Sequence, residues 1–166
     1  LQILATQQPL GYELRLAYAC AKIAHHIERI GDAVESLARQ LVNGDIPEQK
    51  EIFLEMLNDS KALFERSYTA MFEGDLALIQ EIHLLDDKVD FKQRELYHIA
   101  KNILKKGSKG NIDKALRIIS MSAKIEKIAD LCCNWAEQID LAENGMVRRK
   151  IQKRKYRLVF MDNVGG

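Results

Sequence analysis

The sequence has few of the residues that interrupt helices or cross-link chains. Only two of its 166 residues are proline and nine are glycine, so long stretches can stay helical without a break. Its three cysteines, Cys20, Cys132 and Cys133, form no CxxC pair. This pattern argues against a disulfide scaffold and favours a reducing compartment, in which the thiols act as small apolar side chains.

Long apolar runs and an excess of one charge are also missing. No apolar stretch approaches the roughly 20 residues that are needed to span a bilayer, and the first residues lack the basic segment and apolar core of a signal peptide. The formal net charge is only +1, which does not indicate a nucleic-acid partner. We therefore expect a cytoplasmic protein with no membrane span and no bound nucleic acid.

Apolar residues recur at spacings of three and four along most of the chain, which predicts four long helices. We expect them over residues 12–42, 48–72, 76–105 and 111–143, with Gly44 capping the first and Asp75 opening the third. Short turns join the last three helices, so these should form an antiparallel three-helix bundle. The sequence thus predicts an all-α fold of tandem three-helix bundles, the first of them incomplete: residues 1–44 form the C-terminal part of a first bundle, residues 45–145 a complete second bundle, and residues 146–166 a basic linker with a candidate start of another domain.

A near-repeat is the most informative feature of the chain. Residues 24–32 and 122–130 align with an offset of 98 residues. Each copy places a glutamate and an aspartate four positions apart, and a third acidic pair has the same spacing. Four positions make one helical turn, so both carboxylates of a pair share a helix face. The three pairs are Glu28 with Asp32, Glu126 with Asp130, and Asp86 with Asp90.

Two of these pairs should meet across the hairpin formed by the last two helices. Residues at the same level of an antiparallel pair have a constant index sum, which is 216 both for Asp86 with Asp130 and for Asp90 with Glu126. Half of that sum is 108, and Ser108 lies in the middle of the turn. At about 1.5 Å per residue, the four carboxylates lie roughly 30 Å from that turn.

Four clustered carboxylates repel one another, and a bound cation relieves that repulsion. Oxygen ligands suit hard cations such as Mg²⁺, Mn²⁺, Ca²⁺ or ferric iron. Asn134 and Glu137 continue the stripe as outer ligands or hydrogen-bond partners, and His83 is a weaker candidate. The alternative is an ordinary solvated acidic face, whose charge neighbouring lysines offset. Because no nucleophile lies beside a base and no nucleotide-binding motif occurs, we predict that the protein is not an enzyme.

The last twenty residues leave two further alternatives open. Seven Lys and Arg residues lie between residues 148 and 157, and residues 156–160 have the pattern of a strand. One alternative is a metal-free helical dimerisation or adaptor module fused to a C-terminal catalytic domain that starts near Tyr156. The other is a nucleic-acid-binding domain that uses the basic stretch, although no aromatic or recognition-helix pattern accompanies it.

Four motifs in the sequence occur together: Gln7-Gln-Pro9, Glu13-Leu-Arg15, Ile27-Glu-Arg-Ile-Gly-Asp32, and Ile125-Glu-Lys-Ile-Ala-Asp130 with Asn134 and Glu137. With them, about residues 1–143 resemble the PhoU family of phosphate-uptake regulators. The resemblance implies two tandem three-helix bundles whose Glu/Asp-x-x-x-Asp pairs bind metal clusters on the bundle surface. It places metal ligands at Glu28 and Asp32 in the first bundle, and at Asp86, Asp90, Glu126 and Asp130 in the second.

The resemblance also implies a function and its partners. A member of this family is expected to repress phosphate-starvation signalling through contact with the ATPase of a phosphate ABC transporter and with a sensor histidine kinase. The implied cofactors are divalent or ferric metal ions (Fe, Mn, Mg or Zn), and the implied assembly is a homodimer. The expected function is therefore that of a metal-binding cytoplasmic regulator of phosphate uptake.

Overall fold

The computed structural model describes residues 6–44 and 47–145, and four long helices account for most of them. They are α1 (Tyr12–Val42), α2 (Lys50–Glu73), α3 (Leu78–Leu104) and α4 (Lys109–Asn144). Each helix begins and ends within two residues of its predicted bounds, and the predicted all-α fold class is confirmed. The predicted basic linker and the strand at residues 156–160 lie outside the described residues.

Helix α4 is the centre of the structure. Helices α2 and α3 pack against each other and against α4, and α1 packs against α4 as well. Polar contacts give the directions: Arg15 of α1 reaches the carbonyl of Ala142, and Gln40 reaches Ser120, so α1 and α4 are antiparallel. No helix in the described ranges is long and apolar enough to cross a bilayer. The assignment of α1 to a bundle of its own stays a prediction.

The central position of α4 explains its sequence. Seven of the nine positions from Ile128 to Ala136 are buried, which is the pattern of a helix covered on more than one side. The adjacent thiols of Cys132 and Cys133 are therefore both buried. Trp135 is 1% exposed and packs edge-on against Phe64, with ring centroids 5.5 Å apart. Its predicted place in the core or at a helix interface is confirmed.

The core has one large cluster and one smaller cluster. The large one joins buried residues of all four helices, among them Leu37, Leu63, Val89 and Ile125. The smaller one lies where α1 meets the C-terminal half of α4 and includes Ala19, Ile23, Ala70, Trp135, Ile139 and Ala142. Both surfaces of α4 are thus covered by apolar side chains, which supply most of the free energy that holds the helices together.

The helix ends follow the turn residues in the sequence. Gly74 and Gly145 have left-handed backbone angles, with φ of 71° and 70°, and end α2 and α4. Ser108 is the N-cap of α4, and its hydroxyl accepts a hydrogen bond from the backbone N–H of Asn111. Asp75 was predicted to cap α3 directly, but the helix begins only at Leu78. The carboxylate of Asp75 still accepts a hydrogen bond from the backbone N–H of Ala77 at 3.1 Å.

The prediction for Gly44 was wrong. The C-cap of α1 is Asn43, and Gly44 is not among the glycines with positive φ. What Gly44 provides is space, because a Cβ atom there would meet the guanidinium group of Arg117. Arg117 donates a hydrogen bond to the carbonyl of Gln40 near the end of α1. A cation placed at this helix end is favoured by the helix dipole.

Two leucines of α2 provide a direct test of the core. Leu63 is fully buried, whereas Leu54 on the same helix is 55% exposed. We expect Leu63→Ala to lower the free energy of unfolding by about 2–5 kcal/mol, because it leaves a cavity. Leu54→Ala should change it by less than about 0.5 kcal/mol. Urea denaturation followed by circular dichroism measures both, and equal effects of the two substitutions would contradict the packing of α2.

Candidate metal centre between two helices

The contact between α3 and α4 has the register expected from the sequence. A cleft of about 130 Å³ between the two helices is lined by Gln93, Arg94, Tyr97 and His98 of α3 and by Ile119, Ser122 and Ala123 of α4. Gln93 with Ala123, Arg94 with Ser122, and Tyr97 with Ile119 each have an index sum of 216. Residues on the two helices that share this sum therefore lie within about one helical turn of the same level.

The helical phase turns the acidic residues toward the same side as this cleft. On α3, Asp86 and Asp90 are followed at spacings of three and four by Gln93 and Tyr97, and residues at these spacings share one face. On α4, Ile119 and Ser122 are followed in the same way by Glu126 and Asp130. We call the stretch of the α3–α4 interface that carries Asp86, Asp90, Glu126 and Asp130 the acidic groove.

Burial distinguishes these carboxylates from a solvated acidic face. Asp86 is 1% exposed, and Asp90, Glu126 and Asp130 are half-buried. Each of the four takes part in a hydrogen bond, ion pair or other electrostatic interaction. A carboxylate that is withdrawn from water needs compensation by hydrogen bonds or by positive charge. The carboxylates of the acidic groove therefore depend on such compensation more than the exposed pair on α1 does.

The donor set of the groove fits a hard cation. Four carboxylates offer oxygen ligands only, which suits Mg²⁺, Mn²⁺ or ferric iron. In residues 6–44 and 47–145, no three His, Cys, Asp or Glu side chains are placed together as a group that could hold a metal ion. The helices bring the four carboxylates to one interface, but the side chains as placed do not form a coordination group. Metal binding in the groove stays a prediction.

Cys132 borders the groove but is not a ligand of thiolate type. Burial raises the pKa of its thiol to about 12, and the negative charge of Asp86 contributes to the increase. The thiol therefore remains protonated at neutral pH, and a protonated thiol is a poor metal ligand and a poor nucleophile. The backbone carbonyl of Cys132 accepts a hydrogen bond of 3.2 Å from the buried hydroxyl of Ser67.

The remaining predicted ligands extend the groove away from the turn. His83 lies one turn before Asp86 and is half-buried, as is Glu137, whereas Asn134 is exposed. His83 and Glu137 both make contacts of their own. At the other end of the groove, the polar residues that line the cleft were not predicted from the sequence. The spacings of three and four from Asp90 to Gln93 and Tyr97 could have predicted that these residues share the face of α3 that carries Asp90.

The acidic pair of α1 is not part of this groove. Glu28 and Asp32 are exposed, and their helical phase turns them away from the α1 face that contacts α4 through Ala19, Ile23 and Ile30. Nδ1 of His25 lies 3.7 Å from a carboxylate oxygen of Glu28. The structure thus separates the two predicted sites, and the role of Glu28 and Asp32 as ligands remains a prediction.

Comparison with known proteins gives a consistent result. The model of the PhoU domain family matches residues 1–41 and 53–139. Three similar proteins are phosphate-specific transport system accessory protein PhoU homologs. The chain is 22% identical to the Methanothermobacter thermautotrophicus protein over 143 residues, which are 83% of this chain and 64% of the relative. It is 26% identical to the Thermotoga maritima protein over 153 residues, which are 87% of this chain and 63% of the relative. It is 28% identical to the Clostridium acetobutylicum protein over 142 residues, which are 82% of this chain and 64% of the relative. The chain spans less than two thirds of the length of these relatives.

Thiol reactivity tests the surroundings of the groove. Cys20 is exposed, whereas Cys132 and Cys133 are buried. With a pKa of about 12, only about one Cys132 thiol in 10⁴ is ionised at pH 8, so we expect one rapidly reacting thiol per chain with Ellman's reagent and three after denaturation. Cys20→Ser should abolish the rapid reaction. Rapid labelling of Cys132 in the folded Cys20→Ser protein would contradict the closed packing around Asp86.

Proposed function

Because the chain belongs to the PhoU family, we propose that it is a non-catalytic regulator of phosphate uptake and phosphate-starvation signalling. The names of its relatives describe accessory proteins of a phosphate-specific transport system. We propose that it acts through protein contacts, with the ATPase of a phosphate ABC transporter and a sensor histidine kinase as partners, and that it forms a homodimer. The proposal of these partners rests on the resemblance to the family, and the chain covers less than two thirds of the length of the relatives.

We further propose that the acidic groove binds Fe, Mn, Mg or Zn ions. The observation that supports this proposal is the burial of Asp86, a carboxylate that is 1% exposed and lies at the level of the half-buried Asp130, one helical turn from the half-buried Asp90 and Glu126. A cation bound there would offset the repulsion among them and would connect α3 to α4. The metal would then have a structural role, and it would stabilise the surface that these two helices offer to a partner.

The face of α1 supports the proposal of tandem bundles. Eight residues of α1 form a stripe at alternating spacings of three and four, and we call this stripe the α1 seam. Six of its members are exposed and two are half-buried, whereas all eight counterparts in α4 at the offset of 98 are buried. The α1 seam consists of Ala17, Cys20, Ala24, Ile27, Gly31, Val34, Ala38 and Leu41, and the counterparts are Ala115, Ile118, Ser122, Ile125, Ala129, Cys132, Ala136 and Ile139.

The side chains of the two stripes agree in size as well as in position. Every seventh residue is small in both, as at Gly31 and Ala129, and the residues between them are mostly larger, as at Ile27 and Ile125. In α4 this stripe contacts the hairpin of α2 and α3. An apolar seam that reproduces a buried one is typical of a helix that packs against a similar hairpin. We therefore propose that α1 is the third helix of another three-helix bundle.

A substitution in the acidic groove tests the metal proposal. We expect Mn²⁺ at a hundred times its Kd to stabilise the protein by about 2.7 kcal/mol, since it binds only the folded state. Asp90→Asn should reduce this gain by at least half, whereas Glu95→Gln, on the exposed opposite face of α3, should leave it unchanged. Thermal unfolding with and without the metal measures the gain. No shift with Fe, Mn, Mg or Zn, together with metal-free purified protein, would contradict the proposal.

Matched isoleucines test the interpretation of the α1 seam. Ile125 is fully buried, whereas Ile27 is 41% exposed. In this chain, Ile125→Ala should cost about 2–5 kcal/mol of unfolding free energy and Ile27→Ala less than about 1 kcal/mol. In a longer form that supplies a covering hairpin, Ile27→Ala should become as costly as Ile125→Ala. If its cost stays small in that longer form, the tandem-bundle proposal is wrong.

A further inference from the structure

Two arginines join the ends of α1 and α4. Arg15, in the first turn of α1, donates a hydrogen bond of 3.1 Å from Nε to the carbonyl of Ala142 near the end of α4. Arg117, in the N-terminal part of α4, donates a hydrogen bond to the carbonyl of Gln40 near the end of α1. Both carbonyls are among the last four of a helix, for which the helix itself offers no N–H donor. Each helix therefore caps the C-terminus of the other, and we call these two interactions the reciprocal arginine caps.

A glycine lies just beyond each of the capped helix ends. A Cβ atom on Gly145 would lie 3.7 Å from the guanidinium carbon of Arg15, and one on Gly44 would collide with the guanidinium group of Arg117. A cation beside the C-terminus of a helix is also favoured by the helix dipole. The two caps thus share the donor, the acceptor and the neighbouring glycine, although the offset of 98 aligns Arg15 with Asp113 and not with Arg117.

Apart from these caps, α1 is attached through a small apolar contact. Helix α1 packs against α4 and makes no comparable contact with α2 or α3, whereas α2, α3 and α4 all pack against one another. Only five of the 31 residues of α1 are buried, and two of the five are alanines. An amphipathic helix takes most of its stability from such packing. Separation of α1 from α4 would therefore leave a bundle of three helices that still share a core.

Trp135 of α4 lies beneath α1. It is 1% exposed and belongs to the smaller core cluster, together with Ala19 and Ile23 of α1. Its indole Nε1 is buried and has no hydrogen-bond acceptor in the part of the chain that the structure describes. A buried N–H without an acceptor destabilises the packed state, because water would accept its hydrogen bond once the contact opened. The contact between α1 and α4 is thus weakened at its apolar centre and strengthened at both ends.

From these contacts we propose that the α1–α4 contact is a joint that opens while α2, α3 and α4 stay folded, and that the reciprocal arginine caps hold it closed. Opening separates the buried face of α1 from α4 and exposes Trp135 to water. An element with few buried contacts opens at a lower free energy than the whole domain unfolds. The joint gives the protein an apolar face on α4 that only the open form exposes. The inference goes beyond the proposed function and does not depend on the metal site or on the partners.

Hydrogen exchange of the whole chain, resolved by mass spectrometry of its peptides, measures the opening of each helix. In the unsubstituted protein, we expect α1 to exchange at least tenfold faster than the buried parts of α2 and α3. Arg15→Met and Arg117→Met should each speed the exchange of α1 several-fold, and the double variant at least tenfold, because each removes a hydrogen bond from a charged donor. Arg29→Met is the matched control: Arg29 is an exposed residue of α1, and its loss should leave the exchange within twofold.

A mild substitution in α3 separates the joint from global unfolding. Ile82 is fully buried in the core of the three-helix bundle and stays buried when α1 opens. Ile82→Val should therefore speed the exchange of α2 and α3 several-fold and leave that of α1 within twofold. If it speeds all the helices by the same factor, α1 exchanges only by global unfolding and the joint is wrong. If the variants of Arg15 and Arg117 behave like Arg29→Met, the caps do not hold the joint. Neither result bears on the proposed function.

Discussion

The burial of α4 between α1 and the α2–α3 hairpin is the constraint on which the other features depend. Because apolar side chains cover α4 on more than one side, the helix cannot rotate about its axis or slide without exposing part of the core. The level and phase of Glu126 and Asp130 are therefore fixed against those of Asp86 and Asp90. The close packing of the apolar core fixes the backbone positions of these four acidic residues.

The same constraint explains how acidic residues can occupy the facing sides of two packed helices. Four carboxylates at two adjacent levels of a hairpin destabilise the folded state unless a cation or hydrogen bonds compensate them. Core residues of both helices, such as Val89 and Ile125, hold α3 against α4 through the burial of apolar surface. Under the proposal of a bound cation, occupancy of the groove and stability of the helix pair would be linked, because the ion would bind only the folded state.

Much of the fold could be predicted from the sequence, because long helices have a strong period and clear end signals. The turn around Ser108 gave the register of α3 against α4, and Trp135 was expected in the core. The role of Gly44 could not be predicted, since it depends on Arg117, which is distant in the sequence. The burial of Asp86 could not be predicted either, because its spacing to Asp90 is the same as that of two solvated carboxylates. The cleft around Arg94 was not predicted because its lining comes from two helices, and its residues lie together only when those helices pack against each other.

The location of a bound metal shows directly whether α3 and α4 hold a cation between them. Crystals grown with Mn²⁺ and measured at a wavelength where manganese scatters anomalously would show where the ion lies. We expect an anomalous peak in the acidic groove, within about 2.0–2.6 Å of carboxylate oxygens from both α3 and α4. A peak that contacts only one of the two helices, or fully occupied manganese elsewhere on the protein with none in the groove, would contradict it.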